Sequence, residues 1–189
     1  IHASNIYLTE VPQIRINELH EKELVPLAEQ ANVDFVWVHG ASTVLESTLA
    51  YSLNSRGVPC LVVEMGVGMR ITRSIGDQMT EGIFNLMKTL GIWQGEVGEI
   101  RKPVVSADPE EVFFLNASRS GIFVQEARHN TYLKKGDSIG KVIDPLEGTV
   151  LEDVVSPEDG LLFTIREYPV VDEGSLMARI LRTKERQED

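Results

Sequence analysis

V-P-C-L-V-V-E-M-G-V-G, residues Val58 to Gly68, decides how the rest of the chain is read. Pro59 to Val63 are apolar or small and suit a buried, pleated strand. A carboxylate, Glu64, stands at the C-terminal end of that run, and Gly66 and Gly68 follow. In an open α/β sheet, ligands bind in the crevice outside the carboxyl ends of the strands. Two readings of Glu64 stand: the first polar residue after a strand, exposed or paired, or the acidic group of a ligand site. Upstream, Ser42 to Ser55 has the spacing of a helix, with Leu45, Leu49, Ala50 and Leu53 on one side. Ser42 or Thr43 with Glu46 has the form of a capping box, and Gly57 closes the helix. Before it, Phe35 to Val38 makes a short strand that ends at His39-Gly40. His39 therefore has the same kind of position as Glu64, and lining the same crevice suits it better than coordinating anything. Strand, helix, strand in this order is a βαβ unit and implies parallel neighbours.

Downstream of Gly68, Arg70 and Arg73 either hold a substrate carboxylate by bidentate hydrogen bonds or belong to a surface loop. Ile75 to Leu90 is the clearest helix, with Ile75, Met79, Ile83, Met87 and Leu90 in one stripe and Gly91 as its stop. Its methionines are core filler. The glycines at 66, 68 and 76 are not a phosphate loop, because no lysine follows in the required place. At the other end, residues 1 to 17 contain Pro12 and read as an irregular loop. Glu18 to Ala31 is helical in composition but interrupted by Pro26, and Asn32-Val33-Asp34 is a turn.

Residues 91 to 111 are rich in Gly, Pro and acidic side chains without a period, which marks a domain boundary. The expected division is residues 1–100, α/β, and 101–189, β-rich. The second part contains an internal echo. G-I-F-V at Gly121 leads to Gly136 and D-S-I-G-K-V-I, and G-L-L-F at Gly160 leads to Gly174 and S-L-M-A-R-I-L. Two such halves folding together make a small barrel or sandwich. The pattern resembles biotinyl- and lipoyl-carrier domains, which carry a modified lysine between their halves. Lys141 and Lys184 bracket a lysine-free span here, so no carrier role is expected and the part reads as scaffold or lid. His129 lies in its first loop, where solvent is the expected neighbour.

The apolar fraction of 42% and charged fraction of 25% are those of a globular protein. A net charge of −11 argues against nucleic acid as a partner, which needs clustered Lys and Arg. No apolar run is long enough for a bilayer. The single cysteine, Cys60, cannot form an internal disulfide, and its place in the strand-like run suggests an inert buried thiol and a reducing cytoplasm. The chain opens at Ile1-His2 without methionine, so a preceding segment is expected.

Three stretches together resemble the succinylglutamate desuccinylase/aspartoacylase family, within the zinc carboxypeptidase superfamily. V-P-C-L-V-V-E-M-G is similar to the strand bearing that family's catalytic glutamate. I-H-A-S at the start is similar to the end of its D-L-H-T type motif, which supplies a zinc-binding histidine. S-G-I-F-V through L-M-A-R-I, with K-K-G-D-S-I-G-K-V-I-D-P, V-S-P-E-D-G and Y-P-V-V-D-E-G, is similar to its C-terminal β domain. The resemblance implies an α/β fold: a truncated zinc-carboxypeptidase-like mixed sheet with helices, followed by a small all-β barrel or sandwich. It implies a zinc-dependent deacylase acting on a small N-acyl amino acid or related amide or ester. Glu64 would be the general base, His2 a zinc ligand, and Arg56 the nearest candidate for a substrate-binding arginine. No H-x-x-E pair follows any of the histidines at 2, 20, 39 and 129, so two of three zinc ligands are missing. The expectation is an inactive portion of a cytoplasmic enzyme with a small acyl substrate, no nucleic-acid or membrane partner, and room for self-association at exposed strand edges. The alternative is a non-catalytic, degenerate relative serving as a binding or assembly module.

Overall fold

Gln13, Arg15 and Asn17 alternate with Ile14 and Ile16, and this alternation makes a strand instead of the irregular loop expected over residues 1 to 17. The computed structural model describes residues 1–3, 5–40 and 47–183. Strand β1 runs Leu8–Asn17 with Pro12 inside it. Proline removes a ladder hydrogen bond. The loss falls where β1 changes partners. Leu8 to Glu10 pair antiparallel with β10 (Gly160–Arg166), and Gln13 to Asn17 pair parallel with β2 (Phe35–His39). The Pro12 carbonyl still accepts the Asp34 amide at 2.8 Å.

The chain divides into two compact units: Ile1–Ala3, Val11–Gly66 and Arg70–Pro109 in one, and Ser4–Glu10, Val67–Met69 and Glu110–Asp189 in the other. The main division falls at Pro109, and two short earlier segments go with the second unit.

In the first unit, β1 lies between β2 and β3 (Val62–Gly66), and β4 (Val104–Ser106) pairs parallel with β2. The strands flanking the expected βαβ helix are therefore each paired to β1 and not to each other. Ile14, Ile16, Val36, Val38 and Val63 form one buried cluster with Leu24 and Ala28 of α1 (Glu21–Ala28) and Met79 of α3 (Arg73–Thr89). Period-two alternation leaves Arg15, Asn17, Trp37, His39 and Glu64 on the opposite sheet face.

Several boundaries shift for local reasons. The helix expected from Glu18 begins as a 3₁₀ turn, Glu18–His20, where the Asn17 side chain accepts the Leu19 amide at 2.9 Å. Helix α1 keeps Pro26 inside it. Helix α2 spans Leu49–Asn54, with the Thr48 hydroxyl accepting the Tyr51 amide at 3.2 Å. The capping box and Leu45 fall on residues 41–46, outside the described residues. The strand expected at Pro59 starts at Val62 and carries Glu64 within it. The cause is Asn54. Its Oδ1 accepts the Cys60 amide at 2.7 Å and its Nδ2 donates to the Cys60 carbonyl at 3.0 Å, satisfying groups a ladder would use. Cys60 is consequently a half-buried free thiol in a loop, not a buried strand residue. The helix expected at Ile75 is α3, but Ile83 and Leu90 of its stripe are exposed.

In the second unit the sequence echo is an echo of register. Strands β6 (Gly121–Gln125) and β8 (Ser138–Ile143) pair as Ile122↔Ile143 and Phe123↔Val142. Strands β10 and β12 (Leu176–Arg182) pair as Leu161↔Leu181 and Leu162↔Ile180. The side-chain positions of the leading glycines, Gly121 and Gly160, both point at a partner-strand carbonyl, of Ile143 and Leu181, leaving no room for a Cβ. The outer strands obey the same relation. Strand β9 (Val150–Val155) pairs β8, β5 (Val112–Asn116) pairs β12, β11 (Val170–Val171) pairs β6, and β7 (Thr131–Leu133) pairs β10. The sets β11-β6-β8-β9 and β7-β10-β12-β5 each draw strands from both halves of the repeat. Phe123, Ile139, Val142, Leu162, Met177 and Ile180 share one buried cluster.

The β8–β9 hairpin is tied by Asp144, whose Oδ1 accepts the amides of Leu146 and Glu147 at 2.7 and 3.0 Å. Those bonds hold its carboxyl below the usual range. Its tip is Leu146, 94% exposed, where a carrier domain needs a modified lysine. His129 is half-buried with Nε2 3.2 Å from the Phe163 carbonyl, and not simply solvated as expected. Glu10 is fully buried, bonded by the Thr164 hydroxyl and by Arg179 Nη1 at 3.0 Å. No helix among the described residues is long and apolar enough to cross a membrane.

Candidate functional site

The polar face of the first unit's sheet opens into a cavity of about 480 Å³. Its floor comes from β1, β2 and β3, and its wall from α2 and the loop that Asn54 clasps. Three strands bring their chemistry into one row. His2 forms a parallel bridge with Glu64, donating its amide to Val63 at 3.0 Å and accepting from Met65 at 3.2 Å. Across β3, the Arg15 guanidinium lies 3.1 Å from Glu64 Oε1. Across β1, Arg15 is the register partner of Trp37 and lies 5.6 Å from that ring's centroid.

Glu64 is the residue on which the site turns. It is 7% exposed, and Oε2 has no hydrogen-bond partner among the described residues. A carboxylate buried this far needs a compensating charge. Arg15 supplies it at one oxygen and leaves the other unpartnered among the described residues, on a residue that lines the cavity. His2 Nε2 stands 3.9 Å from Oε1, beyond hydrogen-bond length, and its Nδ1 lies 3.1 Å from the Ala3 carbonyl.

His39 lines the same cavity. Burial first, and the Arg15 charge second, push its pKa from 6.5 down to about 4. The imidazole is therefore neutral near pH 7. The sign of its contribution to stability follows. Between pH 6.5 and about 4 the unfolded chain binds the proton that folded His39 refuses, so stability falls as pH falls through this window. We expect a loss on the order of 2–3 kcal/mol between pH 7 and 4 from this residue. Urea unfolding of wild type and His39→Gln at both pH values isolates it: the variant should lose that much less.

The structure brings His2, Glu64 and His39 together and leaves Arg56 out. Arg56 is exposed, donates to the Ser52 carbonyl at 2.8 Å at the end of its own helix, and does not line the cavity. Arg73 is exposed at the start of α3, 3.9 Å from Asp77. Arg15 and Asn17, which sequence reasoning missed, do line it. Their signal was the alternation Q-I-R-I-N, two isoleucines facing a core and three polar residues facing the other way.

A zinc ion is not fitted by these residues alone. No group of three or more His, Cys, Asp or Glu side chains converges among the described residues, and Glu64 Oε1 is occupied by Arg15.

No family model matches the chain, and no curated protein matches it. Solved structures do. The ectoine utilization protein EutE (DoeB) from Ruegeria pomeroyi, in its product-bound form, superposes with a TM-score of 0.79 at 15% identity, over 95% of this chain and 56% of that one. A succinylglutamate desuccinylase from Silicibacter sp. TM1040 gives 0.77 at 18%, over 94% and 55%. An aspartoacylase family protein from Mesorhizobium loti gives 0.71 at 15%, over 97% and 56%. The chain thus has the mixed α/β fold of succinylglutamate desuccinylase/aspartoacylase family structures and spans about half of their length.

Proposed function

We propose that this chain is part of a hydrolase that cleaves the amide or ester bond of a small N-acyl amino acid or related compound, with Glu64 as the general base. The observation that carries the reading is the Glu64 carboxylate. It is buried on a cavity wall, charge-compensated at one oxygen by Arg15, and unpartnered among the described residues at the other. An oxygen so placed accepts a proton from a water held against a substrate carbonyl and returns it to the departing amine. Arg15, 3.1 Å from Oε1, keeps the carboxyl oriented. The fold shared with proteins described as a desuccinylase and an aspartoacylase family protein supports acyl-amide chemistry.

Zinc belongs to this reading only for a complete protein, with His2 as one ligand and further ligands from outside the described residues. The 189-residue chain by itself is read as inactive. We read the second unit as a small all-β barrel or sandwich serving as scaffold. A non-catalytic binding module is the second reading, favoured by the same lack of a metal-holding cluster among the described residues.

The deciding experiment is a screen of N-acyl amino acids and related esters against protein expressed from the complete reading frame around this chain, with zinc supplied. Free amine should be released by that protein and not by the 189-residue chain. If no amide or ester is turned over, the binding-module reading replaces this one.

A further inference from the structure

Two polar side chains of the cavity take no part in the Glu64–Arg15 pair. Asn17 and His39 are register partners across β1 and β2, so they stand side by side on the cavity face. Asn17 is buried, and its amide orientation is fixed because Oδ1 accepts the Leu19 amide at 2.9 Å. That leaves Nδ2 without a partner among the described residues, and neither ring nitrogen of His39 has one. Buried polar atoms are ordinarily paired, and three unpaired ones at neighbouring positions of a cavity wall point to a ligand that pairs them. The pair sits one two-residue strand step, about 6.6 Å, along β1 from Arg15.

We propose that Asn17 and His39 form a subsite for an uncharged hydrogen-bonding group of the substrate, a carboxamide being the best match, three or four bonds from the bond that is cut. This rests on the reading of Glu64 as the base. Asn17 Nδ2 donates to the carboxamide oxygen. A neutral imidazole offers one donor and one acceptor, and its acceptor nitrogen takes the carboxamide N–H. A carboxylate has no proton to give that nitrogen. It would also add a second negative charge where Glu64 already compensates Arg15. An alkyl group would leave all three atoms unpaired. The lowered pKa of His39 agrees with a subsite that stays neutral.

Three acids that differ only at the far end test this: succinamate, succinate and 4-methylpentanoate. Calorimetric titration of the chain at pH 7 should show succinamate binding at least about tenfold tighter than the other two, as when an analogue leaves a built hydrogen-bonding site unpaired. In Asn17→Leu and His39→Leu the gap should shrink to within about threefold, with 4-methylpentanoate holding or gaining affinity. Thermal unfolding checks that each variant is folded. If neither is, the wild-type ranking alone decides. The proposal is overturned if succinate or 4-methylpentanoate binds as tightly as succinamate, if succinamate does not bind, or if both folded variants keep the gap. Failure of the hydrolase reading shows separately, as no amide turnover by the complete protein while the ranking of the acids holds.

Discussion

Replacing Glu64 with glutamine lowers kcat/KM of the active protein by about 10²–10⁴, the usual contribution of a positioned proton acceptor. Glutamine keeps the size of the side chain and can still accept from Arg15, so the cavity keeps its shape. What it loses is the basic oxygen, and that loss is felt only when a proton moves. The effect should therefore fall on kcat, with KM nearly unchanged. Burial sharpens the contrast, because the oxygen left unpartnered among the described residues lies where water competes weakly. Steady-state kinetics on whichever acyl amino acid the screen identifies make the measurement. Turnover within a few-fold of wild type would remove Glu64 from the chemistry.

Glu10→Ala costs about 3–5 kcal/mol of unfolding free energy, the range seen when one partner of a buried ion pair is removed. Glu10 is fully buried, and the side chain of Arg179 is 13% exposed at 3.0 Å from it. Truncation strips the guanidinium of its carboxylate and leaves the Thr164 hydroxyl without its acceptor. The double change Glu10→Leu with Arg179→Met should recover most of the loss, because two apolar groups of similar size need no compensating charge. Urea titration of the three variants gives the numbers. A single-variant loss under about 1 kcal/mol would mean that the pair is solvated in a way its burial does not suggest.

How much of this was legible in the sequence depended on whether local chemistry and tertiary pairing agreed. The strands β6, β8, β10 and β12 were readable because each half of the repeat opens on a glycine and an apolar run and leads through a second glycine to another strand-like run. The placement of Glu64 beside His2 followed from the resemblance and from the crevice rule. Strand β1 was not readable, because Pro12 is a strong break signal. Only the change of partners at that point makes a proline harmless there. Arg15 disappeared with it. The late start of β3 was hidden as well, since Pro59 and Cys60 look like strand residues until the Asn54 side chain is seen to occupy their backbone groups. Arg56 was chosen for its nearness in sequence to the glutamate strand, and its own helix end claims it.

Because each half of the repeat lends strands to both sheets, neither half could have been viable alone in its present form. A lone half would have to dimerise, two identical copies swapping strands, before fusion made the exchange internal. The β8–β9 hairpin with Leu146 at its tip would then be the seam of that fusion, a connection whose loss leaves every strand contact in place.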